Sequence, residues 1–161
     1  MSTQPDQTHS LFLQQAIDLA ITSARNQGGP FGAIVVKDGK IIGRGRNQVT
    51  ENCDPSAHAE IMAIRDACKT INDFSLNDCT IYSSCEPCPM CLSAIYWARI
   101  PQVIFAATAE DAAEAGFDDQ FIYDELGKEP EQRRITTIHM PHKLSNKSFE
   151  EWLSNESHKK Y

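Results

Sequence analysis

Apolar residues recur at helical spacing at Leu13, Ile17, Ala20, Ile21 and Ala24, so the chain is expected to open with an amphipathic helix. That helix ends near Gln27-Gly28-Gly29-Pro30, where glycine and proline break the period. Two β-rich runs follow, residues 31–37 and 40–45, on either side of Asp38-Gly39, a tight-turn dipeptide that predicts a hairpin. Helical spacing returns over 57–64, with Ser56 placed to cap it. The apolar run 79–84 reads as a buried strand, 88–99 as a helix and 102–107 as a further strand. A short helix over 109–115, a polar loop to about Arg134, a strand over 135–140 and a last helix over 149–156 complete the pattern. This order of elements predicts an α/β fold, a three-layer α/β/α sandwich around a central mixed sheet. There is no internal repeat, linker or low-complexity tract, so residues 1–161 are expected to form one domain.

Composition agrees with a compact enzyme. A chain of 161 residues that is 41% hydrophobic can bury a substantial core. No apolar run approaches the roughly eighteen residues of a membrane span, and Met1-Ser2-Thr3-Gln4-Pro5-Asp6 lacks signal-peptide character, so the cytoplasm is the expected compartment and no membrane partner is expected. Six cysteines would suit disulfides in a secreted protein, but Cys53, Cys68 and Cys79 are scattered, and reduced thiols with a metal are the simpler account. The net charge of −7, with no cluster of lysine and arginine, disfavours nucleic acid and favours a small substrate. Lys143, Lys147, Lys159 and Lys160 make the tail locally basic, but Glu150, Glu151 and Glu156 interrupt it, as on a solvated face.

The residues that carry chemistry are His58-Ala59-Glu60 and, some thirty positions on, Pro87-Cys88-Pro89-Met90-Cys91. Cys88 and Cys91 are three apart, so on a helical turn their sulfurs share a face and can grip one ion. Pro87 suits the start of that helix, and a thiolate near a helix N-terminus is stabilised by its unpaired amides. With His58 in the first turn of the other helix, the two N-termini can meet over a single zinc ion (Zn2+). Three protein ligands leave a fourth position for water, the arrangement of a catalytic site. Glu60, two residues from His58, points away from the imidazole direction and is placed to carry a proton rather than to bind the metal. Cys85 offers a rival: with His58, Cys88 and Cys91 it would close a purely structural site. Its place before Glu86-Pro87, at the end of a strand, makes a bystander the preferred reading.

H-x-E followed by P-C-x-x-C matches the signature of zinc-dependent nucleobase deaminases. The whole chain further resembles the bacterial-type guanine deaminases of the cytidine deaminase-like superfamily, through Gly28-Gly29-Pro30-Phe31-Gly32-Ala33, the two zinc motifs, Ala94-Ile95-Tyr96-Trp97-Ala98 and Ala112-Ala113-Glu114-Ala115-Gly116-Phe117-Asp118-Asp119. Gly116-Phe117-Asp118-Asp119, Phe121-Ile122-Tyr123 and the terminal tyrosine separate it from tRNA adenosine deaminases, which share the earlier blocks. The resemblance implies a cytidine deaminase-like fold and hydrolysis of guanine to xanthine and ammonia. It implies His58, Cys88 and Cys91 on zinc, Glu60 as proton carrier and Asp119 as a second catalytic carboxylate. It places Asn47 on the purine edge, Phe31 against the ring, the Ala59 amide as a lesser contact and Tyr161 over the mouth of the pocket.

Guanine presents N–H donors and a carbonyl acceptor, demands that a carboxylate and an amide meet. Each contact has a plainer alternative: Asn47 closing a strand, Phe31 in the core, Asp118 and Asp119 on a loop surface, Tyr161 at a frayed end. The resemblance also implies a homodimer, some relatives exchanging a C-terminal segment that corresponds to residues 135–161. A tRNA adenosine deaminase and a non-catalytic, zinc-stabilised binding protein are the competing functions.

Overall fold

The computed structural model describes residues 4–161, with side chains from residue 7 onward. The chain forms two compact units, one reaching Phe121 and one spanning Ile122–Tyr161.

The first unit is built on a four-stranded sheet. Helix α1 (Gln4–Arg25) leads into the hairpin β1 (Gly32–Lys37) and β2 (Lys40–Arg46), and a short α2 (Val49–Asn52) precedes α3 (Ala59–Ile71). Then come β3 (Cys79–Cys85), α4 (Pro89–Trp97), β4 (Gln102–Ala107) and α5 (Ala109–Glu114). The strand order is β2-β1-β3-β4. β1 pairs antiparallel with both β2 and β3, and β3 pairs parallel with β4. Two antiparallel steps restore direction, so β2, β3 and β4 all end at the same edge of the sheet, where β1 begins. That edge gathers Phe31, Asn47 and the chain leaving Cys85 and Ala107.

Alternation along the strands sorts the core into two layers. Ala33, Val35, Ile81 and Cys79 pack with Ala59, Ala63 and Ala67 of α3 and Ile95 of α4. Ile34, Val36 and Tyr82 face the other way, against Ala16, Phe12 and Leu13 of α1. β1 is therefore buried on both faces, which is why Gly-Ala-Ile-Val-Val reads as a continuous apolar run rather than an alternating one. Small residues set how closely the layers approach. A Cβ at Gly43 or Gly45 would run into the α3 backbone at Ala63 O and Ala59 O respectively. The alanine face of α3 thus lies directly on the glycines of β2.

The second unit contains the end of α6 (Gln120–Leu126), a 3-10 turn at Pro130–Gln132 and α7 (Lys147–Ser154). The Glu125 carboxylate meets Lys128 Nζ and the Arg134 backbone N–H, each at 2.6 Å. Trp152 stacks on His158 with centroids 3.8 Å apart.

Several boundaries correct the expectations. The anticipated strand over 135–140 does not form: a strand requires a ladder partner, and among the described residues this segment pairs with none. Its apolar positions are consequently exposed, Ile138 at 75% and Met140 at 81%. The polar loop before it contains α6, started by the Asp118 carboxylate, which accepts from Gln120 N–H at 3.0 Å. The last helix begins and ends two residues earlier than expected.

Replacing Gly45 with alanine is expected to push α3 off the sheet, costing about 2–3 kcal/mol and lowering Tm by roughly 5–10 °C in calorimetry. Gly39→Ala, at a turn with φ +71° and open space around it, is expected to cost only about 1 kcal/mol.

Candidate active site

The segment leaving β2 is tied down residue by residue. Asn47 N–H donates to Phe31 O at 3.0 Å and its carbonyl accepts from Ser23 Oγ at 3.2 Å. The Asn47 side-chain oxygen accepts from Val49 N–H at 3.3 Å. Further on, Asp54 accepts from the backbone N–H of Ser56 at 2.8 Å and from its hydroxyl at 2.7 Å. Ser56 is thereby committed to Asp54 and does not cap α3, correcting the expected role; a local Asx turn wins over the helix terminus. The N-cap is His58 itself, extended at φ −70° and ψ 156°, whose carbonyl accepts from Met62 N–H at 3.0 Å.

Helix α4 starts the same way. Cys88 is the N-cap, at φ −63° and ψ 167°, and Pro89 rather than Pro87 takes the first turn. The helix stops at Trp97, short of the expected Arg99, whose backbone is left-handed at φ 61°. His58 and Cys88 make no side-chain cap on their own helices. They turn toward each other instead.

His58 Nδ1 lies 3.5 Å from Cys88 Sγ and 3.6 Å from Cys91 Sγ. Tetrahedral zinc, with bonds of about 2.3 Å to sulfur and 2.0 Å to nitrogen, sets ligand atoms about 3.5–3.8 Å apart. The donor set therefore fits zinc in chemistry and in spacing, and all three donor atoms lie within 4.8 Å of one another. Cys85 does not join them: it is buried, and its thiol donates to Thr108 O at 3.4 Å.

The electrostatics point the same way. The Cys91 thiol donates to Cys88 and the His58 imidazole reinforces it, which lowers the Cys88 pKa to about 4 against the cost of burial. Cys91 is correspondingly raised, holding its proton for Cys88. His58 is raised by its hydrogen bond to Cys88. A divalent cation seated among these atoms would replace the shared proton.

Glu60 is buried beside them, 5% exposed, and burial raises its pKa while a 2.9 Å hydrogen bond from Ser83 Oγ opposes the rise. A carboxyl group lifted toward neutrality suits proton transfer in both directions. Ser83 was not foreseen; the signal for it was a serine in the inward phase of β3, level with Ala33 and two residues beyond the buried Ile81.

A cavity of about 530 Å³ opens over these groups, lined by Phe31, Asn47, His58, Glu60, Cys88, Asp118 and Asp119 among others. Phe117, also unforeseen, meets Phe31 edge-to-face at 5.0 Å and completes an aromatic wall. Burial raises the Asp119 pKa, with the negative Cys88 adding to it. The Asp118 carboxylate is engaged with Gln120, which leaves Asp119 as the carboxylate whose charge reaches the sulfurs. Cys91 and Ala59 are fully buried. Tyr161 belongs to the second unit, its ring edge-on to Trp152 at 6.4 Å.

Residues 6–107 match the cytidine and deoxycytidylate deaminase zinc-binding region. The chain is 50% identical to a guanine deaminase of Bacillus subtilis over 154 residues, covering 95% of this chain and 99% of that protein. The solved structure of a Bacillus subtilis guanine deaminase superposes with a TM-score of 0.92 at 50% identity, covering 95% of this chain and 98% of that one. A tRNA-specific adenosine deaminase of Aquifex aeolicus is 44% identical over 96 residues, 60% of this chain and 64% of that protein. A guanine deaminase structure from Nitrosomonas europaea gives a TM-score of 0.65 at 29% identity, over 75% of this chain and 66% of that one.

Metal analysis of purified variants separates the sulfurs. Cys88→Ser and Cys91→Ser are expected to lose zinc, whereas Cys85→Ser keeps about one ion per chain. Loss of zinc from Cys85→Ser would place a fourth ligand in the site.

Proposed function

The chain belongs to the cytidine and deoxycytidylate deaminase zinc-binding family and is a zinc-dependent deaminase, and from that premise we propose the details of its reaction: guanine and water are converted to xanthine and ammonia. The observation that carries this reading is likeness to a guanine deaminase over 95% of the chain, where likeness to tRNA-specific adenosine deaminases covers 60–71%.

His58, Cys88 and Cys91 would hold zinc, which when bound would supply the Lewis acidity that makes water a nucleophile near neutral pH. The residues around it divide the remaining work. Glu60 takes a proton from the water, delivers it to ring N3 of the base, and carries a proton onward to the departing amine. Asp119 accepts from the donor side of the base and assists that second transfer. Asn47 offers an amide to the purine edge, the Ala59 amide stands at the head of α3, and Phe31 covers the ring face. A carboxylate and an amide match the N–H donors and the carbonyl of guanine.

The reading extends to a homodimer in the cytoplasm, with the segment 135–161 exchanged so that Tyr161 closes the partner's cavity. Six free cysteines are consistent with a reducing compartment. Ile135, Ile138, Met140 and Phe149 leave apolar surface exposed in the second unit, surface that another chain would cover.

Zinc-loaded protein is expected to release ammonia from guanine, and far more slowly or not at all from adenine, cytosine nucleosides and tRNA. Release from tRNA in preference to guanine would establish the adenosine-deaminase alternative, and no release from any would establish a binding protein. Glu60→Gln is expected to lose at least about a hundredfold in kcat with zinc retained. Deletion of Tyr161 is expected to lower guanine turnover at unchanged zinc content; unaltered kinetics would remove the tail from the reaction.

A further inference from the structure

A carboxylate buried between α3 and β3 is costly unless hydrogen bonds replace the water it has lost. Glu60 has few ways to recover them. Its own backbone N–H is one, and among the described residues the side-chain donors within its reach are the Ser83 hydroxyl and the Cys91 thiol. A cysteine that ligates zinc is a thiolate and has no proton to give. Once the metal is held, the side-chain hydrogen bond falls to Ser83, whose Oγ lies 2.9 Å from Glu60 Oε1 with the residue 1% exposed.

We propose that Ser83 is a positioning residue for Glu60, anchoring one carboxylate oxygen to β3 so that the other faces the cavity where water and base meet. The proposal rests on Glu60 being the proton carrier and adds what keeps it aimed.

The anchor is rigid because Ser83 sits on an interior strand, paired with Ala33 of β1 on one side and Phe105 of β4 on the other. Its backbone is held by both neighbours, so the hydroxyl arrives at a fixed point. A hydroxyl also suits a group that changes protonation during turnover. It donates to the carboxylate and, by rotating, accepts from the carboxylic acid, whereas a fixed N–H serves only the charged form. Ser83 can therefore stay in contact with Glu60 through both halves of the proton transfer.

Steady-state guanine deamination and zinc content, measured on wild type, Ser83→Ala, Ser83→Thr and Glu60→Gln, test this. Ser83→Ala removes a single oxygen and is expected to lower kcat about tenfold, with KM within about twofold and zinc unchanged. Ser83→Thr keeps the hydroxyl and is expected to recover most of the lost kcat. An inactive Glu60→Gln beside a Ser83→Ala of wild-type kcat would overturn the role of Ser83 alone, as would zinc-loaded Ser83→Thr falling as far as Ser83→Ala. A Glu60→Gln enzyme with wild-type turnover would overturn the proton-carrier reading, and the positioning role with it.

Discussion

His58 at the head of α3 and Cys88 at the head of α4 stand 3.5 Å apart, and that encounter is what the rest of the first unit is arranged to produce. Its origin lies in strand direction. β2 and β3 are each antiparallel to β1, so they run alike and deliver their C-terminal ends to one edge of the sheet. The helices that follow them both pack on the same face. Parallel β4 ends there too, which brings the loop carrying Phe117 and Asp119 to the same place. Open α/β sheets bind ligands at the carboxyl ends of their strands for this reason.

Charge decides what such a place can tolerate. The buried Cys91 and Glu60 and the half-buried Cys88 crowd together in a chain whose net charge is already −7. The Cys91–Cys88 hydrogen bond lowers the pKa of Cys88 and raises that of Cys91, and burial raises that of Glu60. A zinc ion held by His58, Cys88 and Cys91 would balance both thiolates. The helix N-termini contribute in the same sense, since their unpaired amides favour negative sulfur at Cys88. The metal ligands and the unligated carboxylate are thus one electrostatic arrangement rather than a site with an accessory residue.

The sequence made most of this legible because short-range spacing encodes it. An offset of three from Cys88 to Cys91 places both sulfurs on one turn, and an offset of two from His58 to Glu60 separates their directions; neither depends on distant packing. The hairpin at Asp38-Gly39 and the four strands were equally local. What escaped was decided by competition or by partners. Ser56 looked like a helix cap, but Asp54 two residues earlier captured it. Residues 135–140 have strand character, yet pairing is a property of two segments, and among the described residues none pairs with them. Ser83 carries no motif, and the Gly116-Phe117-Asp118-Asp119 block that contains Phe117 gave no sign of its contact. Their contacts, to Glu60 and to Phe31, join positions far apart in the chain, and only the register of β3 and the loop after α5 bring them together.

Adjacent aspartates show how the fold assigns different work to identical residues. Asp118 and Asp119 both line the cavity and nothing in their order separates them. Geometry does: the Asp118 carboxylate accepts from the N–H of Gln120 and so begins α6, a use that a helix start rewards with its orphan amides. The carboxyl of Asp119 is raised by burial and by the negative sulfur of Cys88. The charge of Asp119 is thus coupled to the sulfur of Cys88, while its neighbour holds the loop in place. The same division recurs on β3, where Ser84 accepts from Gly32 N–H to join strands at 3.0 Å and Ser83, facing the opposite layer, reaches Glu60. In each pair one residue ties the backbone in place, while the other lines the cavity or reaches Glu60 within it.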